Sequence, residues 1–374
     1  MADKHDLAAN RVEVQWCELV DSTNERLLRL PWIGANDAGV AAVQEIPGQA
    51  PLHVRALAAR QQSAGRGQKQ RSWFAEPGMS LLLSVAIDRP KSTWPAALSG
   101  FSIACASAAI DALESAPVAG YRPEPIGIKW PNDLVRLRSC SLQPGRSAPG
   151  FDEGSVAPES WLEKIAGLLI ETRQSADQSR IVIGLGLNLC RPTQHSAPAA
   201  WQDQLASASL ALAESASECR RMPTLPGGLL DDSCRGAVSD AVLRELAHRL
   251  AQALSSAWLC FERSGLSPFR EGIERREVLR GRWVEIEDEA QVGKDCRQAK
   301  VVGIDAQGFL RVKPLIVSAA VNGSPSPDLS GREVPKSAAS RSGALKIAAS
   351  TGEVSQSDTL RLSGASLRLL RGEP

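Results

Sequence analysis

The sequence carries almost no net charge: 43 Lys and Arg stand against 42 Asp and Glu, leaving +1 with histidine neutral. No global basic field advertises nucleic-acid binding. No apolar run approaches the roughly 20 residues that a membrane span needs. The N-terminal stretch "MADKHDLAANRVEVQW" is charged and lacks the apolar centre of a secretion signal. These absences predict a cytoplasmic protein with no membrane partner. None of the eight cysteines (17, 105, 140, 190, 219, 234, 260 and 296) sits in a Cys-x-x-Cys pair, which argues against both a disulfide framework and a zinc site. Cys105 and Cys260 lie in apolar surroundings and read as reduced, buried thiols. The four histidines are too scattered to support a local metal cluster or a Ser-His-Asp arrangement. No Walker A sequence and no internal repeat is present.

What is there is apolar material enough for two cores: 374 residues, 43% of them hydrophobic. Short apolar runs recur in "HVRALAARQQ", "SLLLSVAI", "GIKWPNDL", "KIAGLLIET" and "RIVIGLGLNL". Each ends in Gly, Pro or polar residues and reads as a strand. Between them "PAALSGFSIACASAAIDALES" predicts a helix opened by Pro95, and Ser239–Arg263 repeats its apolar residues at helical steps. After about Arg275 the chain alternates and turns at Gly, with "GIDAQGFLRV" predicting a hairpin turned at Ala306-Gln307-Gly308. The expected division is 1–275 and a small β domain at 276–374. Two stretches, Arg138–Ser160 and Asn322–Gly343, are dominated by Pro, Ser and Gly and read as mobile surface insertions. The stretch from about Ser196 to Gly228 is intermediate, a long connection holding at most a short helix.

Five stretches carry polar groups that a strand core has little use for. "DSTNERLL" places Ser22 and Thr23 where either caps a helix, with Glu25 closing a capping box, or contacts a ligand. "QQSAGRGQKQRSWF" is a Gly-rich, cationic loop in which Gly65 and Gly67 let backbone N–H groups approach a ligand, and Arg66, Lys69 and Arg71 add charge. The plain alternative is a solvated basic loop. "GIKWPNDL" packs Lys129, Asn132 and Asp133 around Trp130 and Pro131. "KIAGLLIE" opens with Lys164 and holds Gly167, a residue that in a strand marks close approach. A surface lysine at a strand end is the simpler reading. "RIVIGLGLNLC" ends in Gly184-x-Gly186-x-Asn188, which lacks the third glycine and the following helix of a dinucleotide fingerprint.

Together these stretches resemble the biotin protein ligases. That family shows, in this order, a Ser-Thr-Asn start, a Gln-x-Ala-Gly-Arg-Gly loop ending in Trp, a "KWPNDL" strand, a Lys-x-x-Gly strand and a Gly-x-Gly-x-Asn strand. All five occur here between Ser22 and Asn188. The resemblance continues more weakly into "VVGIDAQGFLRV" and "GEVS" (352–355). It implies an α+β fold: a mixed or antiparallel sheet with flanking helices, of the class II synthetase-like type, plus a C-terminal SH3-like barrel. It implies a ligase that converts biotin and ATP, with Mg²⁺, to biotinoyl-AMP and then biotinylates a lysine of a biotin carboxyl carrier protein. By resemblance Ser22, Thr23, Asn24, Gln62 and the loop residues Gly65, Arg66, Gly67 and Gln68 bind biotin, with Gly65, Arg66 and Gly67 in a loop that closes over the adenylate. Lys164 lies by the carboxylate and α-phosphate, and Gly167 leaves room for the biotin tail. Arg71, Trp73 (stacked on adenine), Asn132, Gly186 and Asn188 serve the nucleotide. Asp133 holds Mg²⁺ or assists the incoming amine, and Lys164, Arg66 and Asp133 form the catalytic set.

Departures matter too. Gln68 and Gln70 stand where Arg and Gly are common in the family, so the loop is expected to retain the adenylate less tightly. Equal release of preformed biotinoyl-AMP from the wild type and from Gln68→Arg would contradict this. Only about twenty residues precede Ser22, too few for a winged helix, so no operator binding is expected. A homodimer is compatible with the family. The rival readings are a lipoate-type acyl-adenylate ligase and a non-catalytic biotin- or nucleotide-binding regulator. An oxidoreductase would rest on "GLGLN" alone.

Overall fold

The strand-like runs assemble into one mixed sheet in the computed structural model, which describes residues 12–32, 42–44, 52–115, 117–122, 124–139, 160–193, 222, 224–236, 238–286, 298–315, 359–362 and 367–369. In chain order the elements of the first part are β1 (Val14–Val20), α1 (Thr23–Arg29), β2 (Ala42–Gln44), β3 (Leu52–Gln62), β4 (Ser80–Pro90), α2 (Phe101–Ser115), β5 (Gly127–Lys129), β6 (Asp133–Ser139), β7 (Ser160–Gln174), β8 (Gln178–Asn188) and β9 (Thr224–Pro226). Helices α3 (Asp240–Ser264) and α4 (Arg270–Arg276) follow, then β10 (Trp283–Ile286), β11 (Gln298–Ile304), β12 (Leu310–Pro314), β13 (Leu360–Leu362) and β14 (Leu367–Leu369). The first sheet runs β1-β3-β4-β8-β7-β6-β5, with β2 added on β3 and β9 on β7. β1 and β9 pair parallel to their neighbours, which makes the sheet mixed. The second sheet runs β13-β12-β11-β10-β14, all antiparallel. The fold is therefore α+β, with helices packed on a large mixed sheet and a small antiparallel sheet after it.

Alternation along the central strands separates two faces. Leu81, Leu83, Val85 and Ile87 of β4 and Ile181, Ile183, Leu185 and Leu187 of β8 join one core with the apolar sides of α2 and α3. Trp258 of α3 fills that core, edge-on to Phe101 at 5.3 Å between ring centroids. On the other face Ala86 and Val182 pack with Leu57 and Leu27 beneath α1. That face also carries the small and polar residues Ser84, Gly184, Gly186 and Asn188, which the register sets side by side. Arg180 fixes α1 to it. Its guanidinium is buried against Asp88 and donates to the carbonyls of Leu27 (2.8 Å), Leu30 (2.7 Å) and Pro31 (2.9 Å), which satisfies the orphan carbonyls at the end of the helix.

Several expectations change. The Ala-rich helix begins at Phe101 rather than Pro95, because Gly100 sits at φ +79° and breaks the helical path. "GIKWPNDL" is two strands and not one: β5 and β6 form a hairpin whose turn is Trp130-Pro131-Asn132, where Pro131 has no N–H to give a ladder. The Trp130–Pro131 peptide is cis. Lys164 lies within β7, which already begins at Ser160, and does not open it. Arg138 and Ser139 belong to β6, so the apolar-poor stretch starts later than its composition suggests. Residues 140–159, 194–221, 322–343 and 352–355 lie outside the described residues. The second long helix and the β11–β12 hairpin are as expected. No described helix is long and apolar enough to cross a membrane.

Candidate functional site

Lys164 and Gly167 are three residues apart, so in a regular strand their side chains would face opposite ways. A bulge removes the conflict. Leu134 pairs with Ala166 but Val135 pairs with Lys164, leaving Ile165 as the extra residue. Lys164 is thereby turned to the face of Gly167: a Cβ built on Gly167 would meet its Nζ at 3.3 Å. Asp133, paired with Gly167 in the register, reaches the same place, and its Oδ1 lies 2.7 Å from Lys164 Nζ. Neither group is closed off; the side chains are 30% and 17% exposed. Asn132 secures the preceding turn, with Nδ2 donating to Leu168 O at 2.7 Å and its carbonyl accepting from Leu168 N at 2.9 Å.

Gly167 and Gly186 face each other across β7 and β8, and the indole of Trp73 lies on them. A Cβ on Gly167 would come within 2.9 Å of that ring and one on Gly186 within 2.5 Å. Lys164 Nζ stands 5.1 Å from the ring centroid, a cation–π distance. Trp73 Nε1 is buried with no hydrogen-bond partner among the described residues. The room over Gly167 that the family resemblance assigns to a biotin tail is thus taken here by the protein's own tryptophan.

The loop that carries Trp73 is folded on itself. Gly67 N donates to Arg71 O at 2.7 Å and Trp73 N to Gly65 O at 2.9 Å. The N–H of Gly67, expected to serve a ligand, is therefore committed within the loop. Gln68 opens a single 3₁₀ turn, and Lys69 sits in the left-handed region at φ +54°. Arg66 is held away from the ammonium side: Nη2 lies 2.5 Å from Glu25 Oε2 and 3.1 Å from Glu171 Oε1. Two carboxylates thus neutralise the cation expected to meet a phosphate. Arg71 is exposed at the loop's end.

A second polar cluster lies where α1 meets the sheet. Ser22 does cap the helix, accepting from Glu25 N at 3.4 Å. The capping box is only half made. Glu25 turns its carboxylate to Arg29 and Arg66, and Ser22 N donates to Asp21 Oδ1 at 2.8 Å. Gln62 Oε1 accepts from Thr23 N at 2.7 Å and Thr23 Oγ1 at 3.0 Å. Ser84 Oγ lies 2.7 Å from Thr23 Oγ1 and 2.6 Å from Asn24 Oδ1. Asn24 Nδ2 donates to Glu171 Oε2 at 2.8 Å. Gly184 makes room for Asn24, since a Cβ there would stand 2.3 Å from its Oδ1. Asn188, one pleat beyond Gly186, spans two strands by weak contacts to Lys164 O (3.4 Å) and Ser80 Oγ (3.5 Å).

The sequence reading missed Ser84, Glu171 and the pairing of Glu25 with Arg66, having read Glu25 only as a capping residue. Ser84 is a hydroxyl inside "SLLLSVAI" and fully buried, and an interrupted apolar run was the signal for it. Glu25 and Glu171 had none, because their role depends on α1 and β7 meeting around Arg66.

Residues 45–188 match the model of the biotin/lipoate A/B protein ligase family. This segment is similar to that family. All five sequence stretches except the Ser-Thr-Asn start fall within the match. Among curated relatives, the bifunctional ligase/repressor BirA of Salmonella typhimurium is 28% identical over 173 residues, 46% of this chain and 39% of its own length. The biotin–[acetyl-CoA-carboxylase] ligase of Mycobacterium tuberculosis is 28% identical over 180 residues, 47% of this chain and 49% of its own. The chain thus spans less than half the length of these relatives. Among solved structures, a biotin protein ligase from Aquifex aeolicus in complex with biotin and ATP is similar over 81% of this chain and 95% of that one, at 19% identity and a TM-score of 0.47.

Proposed function

We propose that the protein is a biotin protein ligase. Biotin carboxylate attacks the α-phosphorus of ATP, pyrophosphate leaves, and biotinoyl-5′-AMP forms. The ε-amine of a lysine on a biotin carboxyl carrier protein then attacks the mixed anhydride, giving an amide and AMP, with one proton released from the amine. The observation that carries this reading is the Lys164–Asp133 pair beside Trp73 on the Gly167–Gly186 floor.

The chemistry suits these groups. A carboxylate is ionised at neutral pH and needs no base to attack. What the first step needs is fixed positive charge where charge gathers on phosphate. Lys164 supplies it, and Asp133 orients the ammonium. In the second step the Asp133 carboxylate is the group available to accept a proton from the incoming amine. Trp73, once lifted from the glycines, forms one wall against biotin or adenine. Arg66 and Arg71 add charge from the loop, Gln68 lies in the same loop, and Asn132, Gly186 and Asn188 line the nucleotide side.

The polar cluster favours biotin over lipoate within the family. Thr23, Gln62, Ser84 and Asn24, with Ser22, gather donors and acceptors in a buried place that suits a ureido ring and leaves a dithiolane without partners. Mg²⁺ belongs to the proposal as a phosphate-neutralising ion. No group of three His, Cys, Asp or Glu is placed to hold a metal among the described residues. Asp133 is the described carboxylate that would meet such an ion, arriving on nucleotide phosphates.

The test is ATP-dependent transfer of biotin to a purified carrier domain, beside Lys164→Ala and a lipoate control. Transfer by the wild type and loss of about a thousandfold in the variant is expected. Binding of biotin without transfer would overturn the ligase reading.

A further inference from the structure

We propose that Trp130 and Gly308 are positioning residues through which the second sheet sets the Asp133–Lys164 pair. The indole N–H of Trp130 donates to Gly308 O at 3.0 Å, and the contact is buried. Gly308 is at the tip of the β11–β12 hairpin, and Trp130 opens the turn that ends in Asp133.

Both ends of this contact are fixed. Asp305 Oδ1 accepts from Gln307 N (2.9 Å) and Phe309 N (3.0 Å), and Gly308 N donates to Asp305 O (3.0 Å). Arg361 of β13 holds the same carboxylate at 2.6 Å and covers the Phe309 ring at 4.4 Å. The tip is thus braced by a neighbouring strand. It meets the first part of the chain backbone to backbone. Gly308 (φ +85°) and Gly100 (φ +79°) approach so closely that a Cβ on Gly308 would lie 2.2 Å from Gly100 Cα. On the other side, Asn132 ties the turn to Leu168, next to Gly167. The turn is therefore clamped between β7 and the second sheet, and Asp133 leaves it directly toward Lys164.

The buried indole N–H has its partner in Gly308 O. Phenylalanine keeps most of the ring and removes the donor, which leaves Gly308 O unpaired. Only the effect on rate rests on the ligase reading; the positioning itself is read without turnover. In the full chain carrying Trp130→Phe, NMR is expected to show a moved Asp133 carboxyl ¹³C signal and about tenfold faster hydrogen exchange at the Leu168 amide. The amides of Val85 and Ile183 stay as in the wild type. Biotin–ATP–pyrophosphate exchange falls about tenfold in kcat with KM for biotin unchanged. A second variant, Asp305→Ala, loosens the tip without touching Trp130 and moves the same two signals if Trp130→Phe does not fold. Unmoved Asp133 and Leu168 signals overturn the proposal, and so does an unchanged kcat in an active enzyme. A wild type that exchanges pyrophosphate with no acid sinks the ligase reading, while the two signals still decide the positioning.

Discussion

Lys164 Nζ and Asp133 Oδ1 stand 2.7 Å apart only because β7 carries one residue more than β6 between Leu134 and Val135. The bulge brings a cation, a carboxylate and a glycine to one face. Asp133→Asn keeps the shape and removes the charge. Pyrophosphate exchange is expected to fall about a hundredfold, with the denaturation midpoint little changed. Isotope exchange at saturating ATP and biotin measures it, and activity within a few-fold of wild type would remove Asp133 from the adenylation step.

A methyl group at position 186 cannot share space with Trp73, whose ring a Cβ would approach to 2.5 Å. Gly186→Ala should expel the indole from the glycine floor. The expected signs are a shifted Trp73 Nε1 proton signal, assigned against Trp73→Phe, and a stability loss of about 1–3 kcal/mol in urea unfolding. An unmoved indole signal would mean that the ring does not rest there in solution.

Ser84 serves both Thr23 and Asn24 from the middle of a central strand. Ser84→Ala leaves those buried groups short of a partner and should cost about 1–3 kcal/mol of stability. Calorimetric titration should also show weaker biotin binding. Weaker binding with no loss of stability would place Ser84 in ligand contact alone.

Glu277 is enclosed where α4 ends, and burial lifts its carboxyl from 4.5 to about 7 against the pull of Arg280, 3.5 Å away. The unfolded chain releases this proton near 4.5 and the folded chain near 7. Between those values the folded state holds more protons, so stability falls as pH rises and levels off above about 7. The loss is on the order of 3 kcal/mol. Glu277→Gln should flatten that part of the curve in thermal melts, and an unchanged slope would assign it to other groups.

The sheet was legible because its strands advertise themselves: "SLLLSVAI" and "RIVIGLGLNL" are apolar on both faces and end in turn residues. The candidate site was legible only as a set of stretches. Strand periodicity alone would have separated Lys164 from Gly167, since a bulge depends on the partner strand. The pairing of Arg66 with Glu25 and Glu171 joins three distant parts of the chain, and no local pattern encodes it. Pro131 did signal a break inside "GIKWPNDL", and that signal was outweighed by the apolar residues around it.

Arg66 rests between carboxylates from a helix and a strand, and this makes the loop's response to anions a matter of exchange. An arriving anion does not meet a bare cation; it must draw the guanidinium from two internal rivals that remain behind, close together, with one positive charge fewer between them. The mutual repulsion of Glu25 and Glu171 then enters the binding equilibrium as a restoring force on the loop. Monovalent salt, which screens that repulsion at exposed groups, would soften the return stroke as well as the capture.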